Sequence, residues 1–159
     1  VEPVRRHPLM RALRVDKLTY AALEATLGEY VSGRASRTVP VLRMILSTTD
    51  QIEARAARLL AASLQASGPL RADLVAGTST IGGGSTPGVE LPTRLIALRH
   101  DHRSTPWLDA WMRAQEPAIV GRIEDDRLLL DLRTVPCEQD EVIAGALARL
   151  AEEAGSPEP

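Results

Sequence analysis

The spacing of apolar residues changes partway along this chain, and that change limits its fold more than any other feature. Up to about residue 66 the apolar positions recur at helical intervals. From Ala72 onward they form short runs of strand type, interrupted by one helical patch and closed by another. Helices gathered at one end and strands at the other do not build alternating parallel crossovers. They build an α+β layer, a small and mainly antiparallel sheet with helices on one face. The 159 residues suffice for one such core.

Pro3 and Pro8 keep residues 1–15 irregular or short-helical. Asp16 reads as a helix N-cap. Tyr20, Leu23, Leu27, Tyr30 and Val31 follow at helical spacing, and Ser32-Gly33 is the stop. Pro40 suits the first turn of a short helix through Leu46. Thr48 and Gln51 form a capping box for a longer helix at 50–66, with Ile52, Ala56, Leu59, Leu60 and Leu64 buried. Glu53, Arg55 and Arg58 lie off that face, and Ser67-Gly68-Pro69 ends the helix. Ala72–Thr80 and Arg94–Arg99 read as strands joined through the glycine loop Gly82–Gly88. Ser104 starts a short helix bearing Trp107, Leu108, Trp111 and Met112. A hairpin pairs Ala118–Ile123 with Leu128–Leu132 around Glu124-Asp125-Asp126. Val142, Ile143, Leu147 and Leu150 mark the last helix, and Gly155–Pro159 is expected to fray.

A net charge of −2 excludes binding to nucleic acid or membrane by bulk attraction. The charge is unevenly spread. Arg5, Arg6, Arg11, Arg14 and Lys17 crowd the start against only Glu2 and Asp16, whereas Glu138, Asp140, Glu141, Glu152 and Glu153 lie towards the end. Cys137 is alone, so no internal disulfide forms, which fits a reducing, cytoplasmic setting. No apolar run approaches the length of a membrane span.

Arg11 and Arg14 are spaced as neighbours on one helical turn. Two guanidiniums there make a fork for an oxyanion, because each offers paired N–H donors and keeps its charge. The competing reading is a solvated basic face. Gly82-Gly83-Gly84-Ser85 permits positive φ and an anion nest, or else a plain flexible connection; no Walker lysine follows. The charges of Arg122-Ile123-Glu124-Asp125-Asp126-Arg127 read as a structural turn or subunit contact, not a metal site. His100 and His102 lack a third ligand and read as an exposed loop. Trp107 and Trp111 read as a core-facing stripe, with no interleaved basic residues for base stacking. Cys137 reads as an inert thiol.

The run His7-Pro8-Leu9-Met10-Arg11-Ala12-Leu13-Arg14-Val15-Asp16-Lys17-Leu18-Thr19, continuing to Leu27, resembles bacterial selenocysteine synthases, the L-seryl-tRNA(Sec) selenium transferases. The resemblance recurs in Ile81–Gly88, Leu91-Pro92-Thr93 and Val120–Val135, in family order. It implies a pyridoxal-phosphate enzyme that makes selenocysteinyl-tRNA(Sec) from seryl-tRNA(Sec), with selenophosphate as donor. It also implies the small C-terminal domain of a fold-type-I enzyme and a homo-oligomer. Residues 1–48 would be the motif segment and linking helices to a large domain, and 49–159 the small α+β domain. Arg11, Arg14, Gly83, Gly84 and Ser85 would bind substrate. The Schiff-base lysine belongs to a family segment upstream of this motif. Lys17, the only lysine, is therefore read as an ion-pair partner of Asp16 or of the missing part. The chain opens on Val1 inside a family-like segment, so a fragment is expected, with no catalytic residue, no bound cofactor and no activity alone. Two alternatives stay open: a related fold-type-I enzyme acting on a free amino acid, and a binding module without chemistry.

Overall fold

The computed structural model describes residues 2–63, 68–82 and 88–152. The expected loop residues Gly83, Gly84 and Ser85, the helix positions Leu64 and Ser67, and the tail Gly155–Pro159 lie outside the described residues. The chain divides into two compact units, 1–43 and 44–159.

The first unit holds α1 (Glu2–Arg5), a 3-10 turn at Pro8–Arg11, α2 (Lys17–Val31) and α3 (Ala35–Thr38); α4 (Pro40–Leu46) begins in it. Asp16 caps α2 as the sequence predicts, its Oδ1 accepting from the Thr19 N–H at 2.8 Å. That backbone bond, followed by one from the Thr19 hydroxyl, holds the Asp16 carboxyl below its ordinary value. Gly33 ends the helix with a φ of +70°. Glu29 accepts from Arg34 (2.8 Å) and Thr38 (2.8 Å), which lowers its pKa too. Ala35 is the one buried residue among those described in this unit. The periodic face of α2 is uncovered within it: Tyr20, Leu23, Leu27, Tyr30 and Val31 are each at least half exposed.

The Asp16 cap makes α2 acid-sensitive. Its folded pKa is lowered, so the cap's contribution is complete above the ordinary carboxylate range. That contribution is lost as pH falls through the lowered value. Protection of the Thr19 amide against hydrogen exchange is expected to hold from neutral pH to the carboxylate range and fall below it. Equal protection in strong acid would contradict the capping account.

In the second unit the capping box forms in both directions: Gln51 N–H donates to Thr48 Oγ1 (3.3 Å) and Thr48 N–H to Gln51 Oε1 (3.0 Å). It starts α5 (Thr49–Ser63). The strands β1 (Leu70–Thr80), β2 (Glu90–His100), β3 (Arg122–Glu124) and β4 (Arg127–Asp131) form one antiparallel sheet in the order β1-β2-β4-β3. Between them lies α6 (Thr105–Arg113), with its N-cap at Ser104, and after them α7 (Asp140–Glu152).

All four strands differ in their bounds from expectation, β1 by starting at Leu70 and β4 by running Arg127–Asp131; the two larger differences have identifiable reasons. β2 begins at Glu90 rather than Arg94, so Pro92 sits inside a strand paired with Thr78. Proline is tolerated because β2 has no second strand neighbour there; β4 pairs only with Leu95–Leu98. The first arm of the hairpin is shorter than Ala118–Ile123, since Ile119 N–H donates to Met112 O at the end of α6 (3.0 Å) instead of joining β4. The hairpin turns where expected but one residue tighter: Glu124 pairs with Arg127 as the end of β3, and Asp125 and Asp126 alone take φ of 49° and 55°, the left-handed pair of a type I′ turn.

Helices α5, α6 and α7 cover one face of the sheet. Ile52, Ala56 and Leu59, then Leu108 and Met112, then Ile143, Ala146, Leu147 and Leu150 pack against Leu70, Ile96, Leu98, Leu128 and Leu130. Among the described residues no helix covers the other face, yet Leu95, Ala97 and Leu129 are buried there beside Val75. The sheet closes over them by curling. Arg122 on one edge strand donates to Thr78 O on the other (3.4 Å), although three strand spacings laid flat span about 14 Å. Leu95 fills the space at Gly77, where a Cβ would lie 2.3 Å from Leu95 Cδ1. Among the described residues no helix is long and apolar enough to cross a membrane.

Candidate functional site

The basic segment is shaped by short-range bonds. His7 Nδ1 accepts from the Leu9 N–H (3.2 Å), Pro8 starts the 3-10 turn, and the N–H groups of Ala12 and Leu13 close on Leu9 O. The turn ends at Arg11. Arg14 lies three residues on, in the link to Asp16, so the two arginines do not share a helical face as their spacing predicts. Both are exposed, and neither meets an acid or a hydrogen-bond acceptor among the described residues. Two permanently charged forks three positions apart, without partners among the described residues, can each take two oxygens of a phosphate-like anion. Leu9, Met10 and Leu13 line an apolar groove with Pro3 and His7 beside them.

Lys17 is the first residue of α2 and exposed. The expected pair with Asp16 is not among the ion pairs of the described residues; Asp16 Oδ1 accepts from the Thr19 N–H instead. Of the glycine loop only its flanks are described: Ile81 N–H reaches Val89 O at 3.5 Å, and Gly88 has a φ of +82°.

The other expectations resolve as follows. His102 is exposed in a turn as expected, but His100 is buried at the end of β2, and its Nδ1 accepts from the His102 N–H (3.2 Å). Trp107 and Trp111 pack on the core from its edge with ring centroids 6.4 Å apart. The fold does interleave them with cations, which the sequence alone does not show: Arg103 lies 4.7 Å from the Trp107 centroid, and Arg149, from α7, 5.7 Å from that of Trp111. Cys137 is exposed at the start of the 3-10 turn before α7. The hairpin charges pair locally, Arg122 with Glu124 (3.2 Å) and Arg127 with Asp125 (3.5 Å).

Two arginines that sequence reasoning passed over turn out to be central. Arg55 donates through Nε to both oxygens of Asp140 (2.9 Å each), through Nη1 to Leu132 O (2.8 Å) and Val135 O (2.9 Å), and through Nη2 to Pro136 O (3.1 Å). The Asp140 bonds raise the pKa of the guanidinium. Arg133, only 6% exposed, donates through Nε to Ser79 Oγ (3.1 Å) and through Nη1 to Met44 O (2.9 Å) and Ser47 O (2.7 Å); its Nη2 reaches Pro92 O (2.6 Å). The Ser79 hydroxyl donates in turn to Asp131, which also accepts from Thr93 Oγ1 (3.0 Å) and the Arg133 N–H (3.0 Å). Every acceptor except those around Asp131 is far away in sequence, so local pattern carries no trace of either clamp.

A family model for L-seryl-tRNA selenium transferase matches residues 1–136. The curated L-seryl-tRNA(Sec) selenium transferase of Geobacter metallireducens is 41% identical over 154 residues, covering 96% of this chain and 33% of the relative. That of Carboxydothermus hydrogenoformans is 40% identical over 135 residues, with 85% and 29% covered. That of Aquifex aeolicus is 39% identical over 150 residues, with 94% and 33% covered. This chain spans about a third of the length of the curated relatives it matches. With 136 consecutive residues fitting one family model, the chain belongs to the L-seryl-tRNA selenium transferase family.

Proposed function

We propose that this chain is the C-terminal third of an enzyme that converts seryl-tRNA(Sec) to selenocysteinyl-tRNA(Sec), and that Arg11 and Arg14 hold its selenium donor, selenophosphate. The observation that carries this reading is the pair of exposed guanidiniums, without partners among the described residues, inside the family-matched segment. A small polyanion is bound best by donors that are already charged and not committed elsewhere. Residues 1–48 join the sheet domain to the large domain of a fold-type-I enzyme. The uncovered face of α2 supports this, because a helix with so wide an apolar stripe is stable only when another surface covers it. The intact enzyme works in the cytoplasm as a homo-oligomer.

Pyridoxal phosphate supplies the electron sink for such chemistry and is held through a lysine. The residues described here do not fit that group. Lys17, the sole lysine, is exposed at a helix start with no enclosing wall. Cofactor attachment therefore falls to the part of the enzyme outside this chain, which is expected to be inactive alone.

In the intact enzyme, Arg11→Ala and Arg14→Ala are each expected to weaken selenophosphate binding by about tenfold to a hundredfold, the worth of a charge-assisted pair. Titration with selenophosphate measures this directly. Unchanged affinity in both variants rejects the donor role. Turnover of free serine in place of seryl-tRNA would move the enzyme to the other fold-type-I reading.

A further inference from the structure

We propose that the groove lined by Leu9, Met10 and Leu13 seats the selenium atom of the donor and sets the preference for selenophosphate over phosphate. The inference rests on the donor reading above, and every residue it uses lies within the first unit, 1–43.

Two guanidiniums recognise charge and oxygen atoms. Phosphate offers both in nearly the same shape and is present in any cell. Arg11 and Arg14 therefore supply affinity for either anion and little power to tell them apart. Discrimination has to come from whatever meets the remaining position on phosphorus, where one anion carries selenium and the other oxygen. Selenium is larger, softer and a weaker hydrogen-bond acceptor, so it loses less on leaving water. An oxyanion oxygen set against apolar walls loses its hydration and gains no donor in return.

The sequence puts such walls beside the forks: Met10 precedes Arg11, and Leu13 precedes Arg14. The backbone gathers the apolar members although the 3-10 turn ends at Arg11. The Leu13 N–H closes on Leu9 O at 2.9 Å, and Leu9, Met10 and Leu13 come to line one groove. All three side chains are exposed. Apolar walls left open next to cations without partners among the described residues have the composition of a small-ligand site. Met10 adds a polarisable thioether to the wall. Among the described residues that line the groove, His7 alone has a polar side chain. Its Nδ1 is occupied by the Leu9 N–H, so the neutral ring has only its Nε2 N–H left to offer. That is a donor, and it suits an anion.

The test uses the intact enzyme as wild type, Leu13→Asn and Met10→Gln. It measures the dissociation constant of selenophosphate and the inhibition constants of phosphate and thiophosphate. Each substitution nearly keeps the side-chain size and makes the wall polar. Both variants are expected to bind selenophosphate about tenfold more weakly, the worth of one apolar contact in a specificity pocket, and to hold phosphate within about twofold. Thiophosphate should lose an intermediate amount. Arg11→Ala and Arg14→Ala should instead weaken all three anions alike. A preference for selenophosphate that survives in both groove variants overturns the proposal. An equal loss of all three anions in them overturns it too, because a groove that only packs against the rest of the enzyme would give that result. Leu13 is 75% exposed in this chain. If Leu13→Asn and Met10→Gln do not fold, Leu13→Ala is the milder substitute. It should cost about threefold for selenophosphate alone, and no loss overturns the proposal. Arginine variants that bind selenophosphate as the wild type does overturn the donor reading itself. Impaired arginine variants beside indifferent groove variants overturn only the selenium seat.

Discussion

Replacing Arg55 by methionine is expected to lower the unfolding free energy of the chain by about 3 kcal/mol, the lower end for breaking a buried charge pair. The Arg55 side chain is 12% exposed and that of Asp140 32% exposed. Water can therefore recover part of the cost at the carboxylate but little at the three carbonyls. Leu132 O, Val135 O and Pro136 O lose their shared donor together. These carbonyls belong to the stretch that carries the chain from β4 into α7, so that stretch should loosen first. Urea unfolding measures the loss, with a lower midpoint at an unchanged slope. A loss below about 1 kcal/mol would show that solvent replaces the guanidinium, as it does for surface pairs.

Leu98→Ala is expected to cost about 3–5 kcal/mol. Leu98 is fully buried on β2, on the face against which α5, α6 and α7 pack. Elements converge on this position from several directions, so the surroundings cannot collapse into the vacated space without moving more than one helix. The same titration of Val120→Ala provides the contrast. Val120 is 65% exposed and should change stability by no more than about 0.5 kcal/mol. Similar losses at both positions would mean that the core is not centred on β2.

What the sequence made legible was set by short-range physics. The Asp16 cap, the Thr48–Gln51 box, the bounds of α4 and the Asp125-Asp126 turn each depend on residues within four positions of one another. The strand at Arg94–Arg99 was legible too, but not that Leu95 and Ala97 are buried on its second face. What it hid depends on distance. Arg55 lies off the apolar stripe of α5, and a charged residue there reads as solvated; only the fold brings Asp140 beneath it. Arg133 follows the apolar run of β4, where a charged residue reads as a surface position, while its acceptors lie 41 to 89 residues away. The Arg–Trp–Trp–Arg ladder takes its last member from another helix. For Arg11 and Arg14 the spacing misled in a different way. Three positions apart implies one face only while a helix lasts, and here the turn stops at the first of the two.

Gly77 and Leu95 form a lock of a different kind. The branched side chain on β2 occupies the volume that any larger residue at position 77 would claim, and that occupancy is what lets the bare face of the sheet seal itself. Curvature is thus encoded as a pair of sizes, one void and one plug. In homologues the two positions should drift together: a methyl gained at the first demands carbon surrendered at the second.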